Sequence, residues 1–259
     1  MSKVFSAIQP TGFLHIGNYL GALKEFSKLQ EKYSECFYCV ADLHAITINQ
    51  CPKKLQESIL FTLASYLASG VDPEKSTLFI QSHVPEHLEL SWILTCNTPL
   101  GWLNRMTQFK DKSCEENTMT GLLIYPCLMA ADILIYKSNF VPVGNDQTQH
   151  LEITCDIAKK FNHDFNCNFL TIPEKITTKH SNRIMSLRDA SKKMSKSEIS
   201  EYSRINLVDS AEEISNKIKK AKTDEFTFPE TIENAENRPE INNLINIYSS
   251  FIDQDKNLY

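Results

Sequence analysis

Val4-Phe5-Ser6-Ala7-Ile8-Gln9-Pro10-Thr11-Gly12-Phe13-Leu14-His15-Ile16-Gly17-Asn18, near the start of the chain, decides its fold class. It reads as a strand over Val4–Gln9, a turn-rich loop, and then a helix over Gly17–Gln30. In that helix Tyr19, Ala22, Leu23 and Phe26 fall at i, i+3, i+4 and i+7, one apolar face. Gly12, Gly17 and Gly21 are three of only seven glycines in 259 residues, so their clustering is not a composition effect. Glycine lets a ligand come close to the backbone, and the first turn of a helix offers free N–H groups to an anion. His15 and Asn18 add side-chain donors. The chain contains neither a Walker A sequence nor GxGxxG, which excludes a P-loop and a dinucleotide fingerprint. Taken alone, the stretch also fits an ordinary strand-to-helix turn with an N-cap.

The alternation continues outward. Phe37–Ala41 and Leu78–Gln81 read as strands, and Pro52 opens a helix that runs through Ser69 and closes on Gly70. Pro85 starts another helix through Leu94, and Pro126–Lys137 reads as an unusually apolar, buried helix. Val141–Val143 is short and extended, Asp146 caps a helix to about Phe161, and Phe169–Ile172 is the last expected strand. Such alternation predicts an α/β fold, a Rossmann-type parallel sheet with helices on both faces. Ligands of such sheets bind beyond the carboxyl ends of the strands.

After about Ser186 the chain changes character. Ser191–Ser203 is polar and lysine-rich, Ser210-Ala211-Glu212-Glu213 is a capping box, and Ile214, Ile218 and Ala221 share the face of the helix it opens. A polar, acidic connection over Thr223–Pro239 leads to a final helix pattern with Leu244, Ile247, Tyr248 and Phe251. The expected organisation is a Rossmann-type catalytic domain over residues 1–186 and a partial α-helical region over 187–259, too small to bury much by itself.

Composition narrows the class. Hydrophobic residues make up 42% and charged residues 23%, a soluble globular balance that argues against disorder and coiled coil. The sequence shows no membrane-spanning apolar run and no signal-peptide layout, which predicts a cytoplasmic protein without a membrane partner. Eight cysteines are scattered. Cys36 and Cys39 form a CxxC inside an expected strand, where residues three apart point to opposite faces and cannot clasp one metal ion; they read as reduced core thiols. No protein-held metal is expected. The net charge of −5 argues against a generic nucleic-acid binder but not against a local basic patch.

The second chemical motif is Lys192-Lys193-Met194-Ser195-Lys196-Ser197. Lysines are mobile point charges suited to phosphate groups, although an isolated lysine run is usually a solvated surface. Together, His15-Ile16-Gly17-Asn18 and Lys193–Ser197 resemble the HIGH and KMSKS signatures of class I aminoacyl-tRNA synthetases. The whole chain is similar to the bacterial-type tryptophanyl-tRNA synthetases. The similarity runs through Phe5–Gly12, Asp42–Thr47, Thr77–Ser82, Arg105–Lys110, Met129–Leu134 and Val141–Gly144. Two departures stand out. Asn145 replaces the acidic residue of the family's Gly-Glu-Asp-Gln, and the chain stops short of further helices that complete the family's anticodon-reading region.

The resemblance implies a homodimeric ligase that couples L-tryptophan to ATP with Mg2+, releases pyrophosphate, and transfers the tryptophanyl group to tRNA(Trp). The carboxylate attacks the α-phosphorus in line, so catalysis is positioning plus stabilisation of charge on the leaving pyrophosphate. By the same resemblance Lys193 and Lys196, with Lys112, hold the β- and γ-phosphates, and His15 belongs with them to the catalytic set. Gln9, Pro10, Thr11, Gly17, Asn18, Gly144, Asn145, Asp146, Ile184, Met194, Ser195 and Ser197 complete the ATP contacts.

The tryptophan pocket can also be argued physically. Asp132 sits inside an apolar helix, and a buried carboxylate is costly unless hydrogen-bonded. An indole is apolar with one N–H, so an apolar wall with one acceptor is its complement. The competing reading pairs Asp132 with a nearby lysine or tyrosine. Phe5, Met129, Val141 and Val143 are the expected apolar walls, each equally at home in a core. Tyr125 and Gln147 match the family residues that meet the amino group, and His44 matches a histidine beside the pocket. For tRNA, Lys217–Lys222 and Lys179–Arg183 are candidate phosphate contacts or solvated surface.

Two other classes remain open from the sequence. A nucleotidyltransferase that adenylates a small carboxylic acid would explain Pro10–Asn18 but not Met129–Asp132. A non-enzymatic remnant that binds tryptophan or ATP would explain the short helical region but not the intact motifs.

Overall fold

A computed structural model describes residues 2–112, 118–144, 147–176, 183–196, 198–229 and 231–252, with the backbone alone at 111, 112 and 232. In chain order the regular elements are β1 (Lys3–Ile8), α1 (Ile16–Asn18), a π-helical segment (Tyr19–Leu23), α2 (Lys24–Lys32), β2 (Glu35–Val40), α3 (Asp42–Ala45), α4 (Pro52–Ala68), β3 (Ser76–Ile80), α5 (Glu86–Asn97), α6 (Leu100–Asn104), α7 (Thr107–Lys112), α8 (Thr120–Leu134), β4 (Phe140–Pro142), α9 (Thr148–Asp164), β5 (Glu174–Ile176), α10 (Ala211–Lys219), α11 (Ile232–Glu236) and α12 (Pro239–Ile252). They form two compact units, Met1–Thr11 with Phe26–Thr178, and Gly12–Glu25 with Lys179–Tyr259. The glycine-rich stretch falls within the second unit.

The first unit is built on a five-stranded parallel sheet of order β3-β2-β1-β4-β5. The order reverses at β1, so the switch point of the α/β rule lies at its carboxyl end. Strand alternation sorts the faces. Phe5, Cys39 and Val141 pack with Ile133 and Leu151 from α8 and α9. On the opposite face the Phe26 ring stacks on Tyr38 at 4.5 Å, and the buried hydroxyls of Tyr38 and Tyr66 donate to the carbonyls of Phe26 and Cys39. Helices therefore cover both faces. A separate core joins Leu94, Leu103, Met106, Cys127, Ala130, Ala131, Leu134, Ile153 and Ile157 beneath α5, α6, α8 and α9.

Three local expectations need correction. The apolar helix begins at Thr120, with Pro126 inside it rather than at its start; α8 tolerates the lost N–H there. Phe169–Ile172 is not a strand. The N–H groups of Phe169 and Leu170 donate to the Asn162 side chain at 3.1 and 3.0 Å, which removes them from any ladder, and β5 begins only after Pro173. The first helix contains a π-helical segment that apolar spacing does not signal. Gly70 closes α4 as read, at φ +89°, a conformation that favours glycine.

In the second unit Ile16, Leu20, Ile184, Leu187, Met194, Ile205 and Ile247 form one core. The capping box at Ser210 is present: Ser210 accepts from the Glu213 N–H, and Glu213 accepts from the Ser210 N–H at 2.7 Å. No helix among the described residues is long and apolar enough to cross a membrane.

Candidate functional site

In the first unit the polar residues gather where the strands end. Gln9, Pro10 and Thr11 follow β1, Asp42 and His44 follow β2, Gln81 and His87 follow β3, and Val143, Gly144 and Gln147 follow β4. Asp132, on α8, is 1% exposed. Among the described residues it pairs with neither a lysine nor a tyrosine. One of its oxygens accepts from Gln81 Nε2 at 2.7 Å and His87 Nδ1 at 2.6 Å, and the other from His44 Nε2 at 2.8 Å.

Burial pushes the Asp132 pKa up, but the hydrogen bonds from His44 and His87 outweigh it and hold the carboxyl below its usual range. The carboxylate fixes the tautomer of His87. Its Nδ1–H faces the carboxylate, and its Nε2 bonds to the Tyr136 hydroxyl at 2.8 Å. Three hydrogen bonds among the described residues leave a carboxylate about one further acceptor site.

Apolar residues pack beside this cluster. Phe5 and Val141 lie in the same core group, with Met129, Val143, Phe79 and Tyr136 packed against it. The Tyr136 ring stacks on Phe37 at 4.6 Å and meets His87 at 5.5 Å. Tyr125 stands edge-on to His44, with ring centroids 6.2 Å apart. Its hydroxyl bonds to His150 Nε2 and donates to Gln108 Oε1 at 3.2 Å, and burial raises its pKa to about 12. The structure thus brings Phe5, His44, Tyr125, Met129, Asp132, Val141 and Val143 into one neighbourhood. Sequence reading missed Gln81, His87, Tyr136, His150 and Gln108. The usable signal for Gln81 and His87 was polarity just beyond the carboxyl end of a buried strand.

The second unit holds the other motif residues. His15, 3% exposed, precedes α1, and its backbone N–H donates to Asn18 Oδ1 at 3.1 Å. Its Nδ1 is buried without a hydrogen-bond partner among the described residues. A Cβ on Gly17 would lie 3.0 Å from both Cε1 and Nδ1 of His15 and 3.6 Å from the Ile184 Cβ, so glycine keeps that ring in place. The His15 pKa is lowered to about 4 by burial, then by the charges of Lys196, Arg204 and Lys193. Burial also lowers Lys196 to about 8.

The lysine loop leaves a short hairpin. Met194 N–H donates to the Ile184 carbonyl at 3.0 Å, Ser186 N–H to the Lys192 carbonyl at 2.8 Å, and Met185 pairs with Lys193. Ile184 and Met194 are themselves core residues, 4% and 2% exposed. A buried imidazole nitrogen without a partner among the described residues, in a positive field, suits a polyphosphate, which supplies acceptors and negative charge together. Asn145, Asp146, Ser197 and the side chain of Lys112 lie outside the described residues.

Of the tRNA candidates, Lys217 is excluded as a surface contact. It is 7% exposed and ion-paired with Asp209. Lys179–Asn182 lie outside the described residues. Among the described residues no group of three or more His, Cys, Asp or Glu side chains could hold a metal ion.

The chain matches the family model for class I tRNA synthetases (W and Y) over residues 1–259. It is 56% identical over 253 residues to the tryptophan–tRNA ligase of Rickettsia conorii, a match spanning 97% of this chain and 76% of that protein. Among solved structures it is similar to the tryptophanyl-tRNA synthetase of Mycoplasma pneumoniae, at TM-score 0.87 and 40% identity over 98% of this chain and 74% of that one. It is also similar to the Campylobacter jejuni tryptophanyl-tRNA synthetase complexed with ADP and tryptophan, at TM-score 0.81 and 38% identity over 96% of this chain and 75% of that one.

Proposed function

The chain belongs to the class I tRNA synthetase family of the tryptophan and tyrosine enzymes, and from that premise we propose that it activates L-tryptophan with ATP and transfers it to tRNA(Trp). The observation that carries the choice of amino acid is the buried, ionised Asp132, set among His44, Gln81 and His87 beside the Phe5–Val141 apolar group. Such a site offers an aromatic ring apolar contact and offers its N–H one acceptor. A site built around a hydrogen bond rejects analogues lacking it far better than an apolar pocket does. Tyr125 and Gln147 are assigned to the amino group.

ATP supplies the electrophilic phosphorus and pyrophosphate as leaving group. Gln9, Pro10, Thr11, Gly17, Asn18, Gly144, Ile184 and Ser195 are assigned to the nucleotide, with Asn145, Asp146 and Ser197 carried by the family pattern. Lys193 and Lys196, with Lys112, are assigned to the charge that grows on the phosphates. His15, neutral at pH 7 because its pKa lies near 4, serves as an uncharged N–H donor. Mg2+ is proposed to arrive on the phosphate oxygens, its usual habit, rather than in a protein cage. Residues 1–186 are taken as the catalytic part and 187–259 as the lysine loop and tRNA side.

A homodimer is proposed from α5, which exposes Leu88 and Trp92 one turn apart; Trp92 is 68% exposed, unusual for a residue of that size. Lysine at position 92 is expected to give a monomer by light scattering. The free thiols among the described residues fit a reducing compartment, the cytoplasm.

The test is ATP–pyrophosphate exchange with tryptophan, tyrosine, phenylalanine, and a tryptophan analogue carrying sulfur in place of the indole N–H. Exchange confined to tryptophan, with the analogue rejected by orders of magnitude, is expected. Asp132→Asn should abolish that discrimination; equal use of tyrosine would sink the assignment. Because Asp132 already accepts three hydrogen bonds, a second reading has it orient His44, which then meets the ring. In that case His44→Ala, rather than Asp132→Asn, erases the discrimination.

A further inference from the structure

We infer that Asn243, on α12, is a positioning residue for the lysine loop: its side-chain amide acts as a one-residue strand that holds the hairpin carrying Lys193 and Lys196. The inference rests on the reading of that loop as the phosphate-binding element.

Backbone alternation sets the problem. Ile184 and Ser186 turn their carbonyl and N–H toward the lysine strand, bonding Met194 at 3.0 Å and Lys192 at 2.8 Å. The N–H and carbonyl of Met185, between them, therefore point the opposite way. Backbone groups in a packed region require partners. Asn243 supplies both: its Oδ1 accepts the Met185 N–H at 2.9 Å, and its Nδ2 donates to the Met185 carbonyl at 2.9 Å.

A planar carboxamide carries one acceptor and a donor side by side, the pattern a neighbouring strand would offer. Glutamine carries the same groups one methylene further out, so it cannot fit without moving the helix. Asn243 is 3% exposed, and its helix neighbours Leu244 and Ile247 pack in the same core as Ile184, Leu187 and Met194. The amide is thus anchored to a helix, and Met185 to the amide.

A two-stranded hairpin is marginal by itself. Fixing Met185 from its outer edge sets the register at which Lys193 lies opposite and Lys196 follows. Nothing in the motif itself supplies this third partner; it comes from 58 residues further along the chain.

The experiment compares Asn243→Ala and Asn243→Asp with the unaltered chain in ATP–pyrophosphate exchange. Expected for Asn243→Ala is a loss of about tenfold in kcat/KM for ATP, with KM for tryptophan within about twofold. In Asn243→Asp the ionised carboxylate still accepts from the Met185 N–H but repels its carbonyl, whereas the protonated acid regains an O–H donor. Its defect relative to the unaltered chain should therefore shrink as the pH is lowered from about 8 toward the carboxyl range. A role in helix packing alone gives no such recovery.

Amide hydrogen exchange supplies a readout free of activity. Met185, Ser186 and Met194 should lose protection in Asn243→Ala while the interior amides of α12 keep theirs. Those three amides staying protected, or a defect in Asn243→Asp that does not recover on acidification, would overturn the inference. No exchange by the unaltered chain, with the amides behaving as expected, would instead overturn the functional reading and leave the clamp standing.

Discussion

Asp132 and His15 are both buried polar groups at the heart of a motif, yet their surroundings solve opposite problems. Asp132 has its partners inside the protein: two histidines and a glutamine donate to it and keep it ionised. His15 has cations around it, a buried nitrogen without a partner among the described residues, and a pKa near 4. The first arrangement is closed and belongs to the fold as much as to the site. The second is open among the described residues, and in the proposed function a polyphosphate completes it. A residue of the closed kind should betray itself in stability, and one of the open kind in rate.

The largest expected effect breaks or confirms that division directly. Asp132→Ala leaves His44, His87 and Gln81 facing an apolar gap and should cost about 3–5 kcal/mol of stability, along with all exchange activity. His15→Gln should change stability by no more than about 1 kcal/mol while exchange falls by about a hundredfold. Denaturant unfolding and exchange on the same preparations check both. A His15 variant as unstable as the Asp132 variant would collapse the distinction.

Acid sharpens the same contrast. Folded His15 refuses a proton that the unfolded chain accepts below about pH 6.5. Between pH 6.5 and about 4 the unfolded state therefore binds more protons, and this group makes stability fall as pH falls through that window. His15→Gln should flatten that part of the stability–pH curve. Asp132, with its pKa lowered, loses its contribution only as the pH drops through the carboxyl range.

A smaller effect is expected two residues along from His15. Gly17→Ala places a methyl 3.0 Å from the His15 ring and must displace it. Misplacement of a positioned group by a fraction of an ångström should cost about tenfold in kcat/KM for ATP, with KM for tryptophan unchanged. Lys196 gives a pH counterpart. With its pKa near 8, its charge is lost as pH rises through that value, so ATP affinity should weaken above about pH 8. Lys196→Arg should move that decline to higher pH, because guanidinium stays charged.

The closed centre and the open one were unequally legible in the sequence. Strand–helix alternation and the Pro and Gly punctuation of α4 gave the sheet and its ligand end, because periodicity is local. The open centre lies in two short contiguous motifs, so His15, Gly17, Lys193 and Lys196 could be named directly. The closed centre is assembled from residues 44, 81, 87 and 132, and only Asp132 and His44 could be picked out. Its other members are polar residues in apolar stretches whose partners lie on other elements. Asn243 was illegible for a related reason: it binds a backbone, and backbone groups leave no mark in the sequence. Phe169–Ile172 failed because one side chain, Asn162, competes for the N–H groups a strand would need.

Lys217 shows that pairing, not location, divides the two kinds of charge. It sits in a lysine-rich segment of the second unit that reads as a phosphate-binding face, but it is buried against Asp209, which also accepts the Asn206 N–H at 2.8 Å. Lys217 is a closed charge among open ones, and the smallest effects follow from that. Replacing both charges, Lys217→Met with Asp209→Asn, should leave stability within about 1 kcal/mol, because two desolvated charges gain little over neutral contact and the amide oxygen still accepts the Asn206 N–H. Lys217→Met alone should cost more, since Asp209 then keeps its charge without its cation. Neither change should alter the salt dependence of tRNA binding, because a lysine that touches no phosphate releases no counterion. Lys219, exposed two residues on, provides the contrast. If it meets the tRNA backbone, Lys219→Ala should lower the slope of log K against log salt by about one. A slope that drops for Lys217→Met and not for Lys219→Ala would mean the ion pair opens to the nucleic acid, and that a closed charge can be recruited.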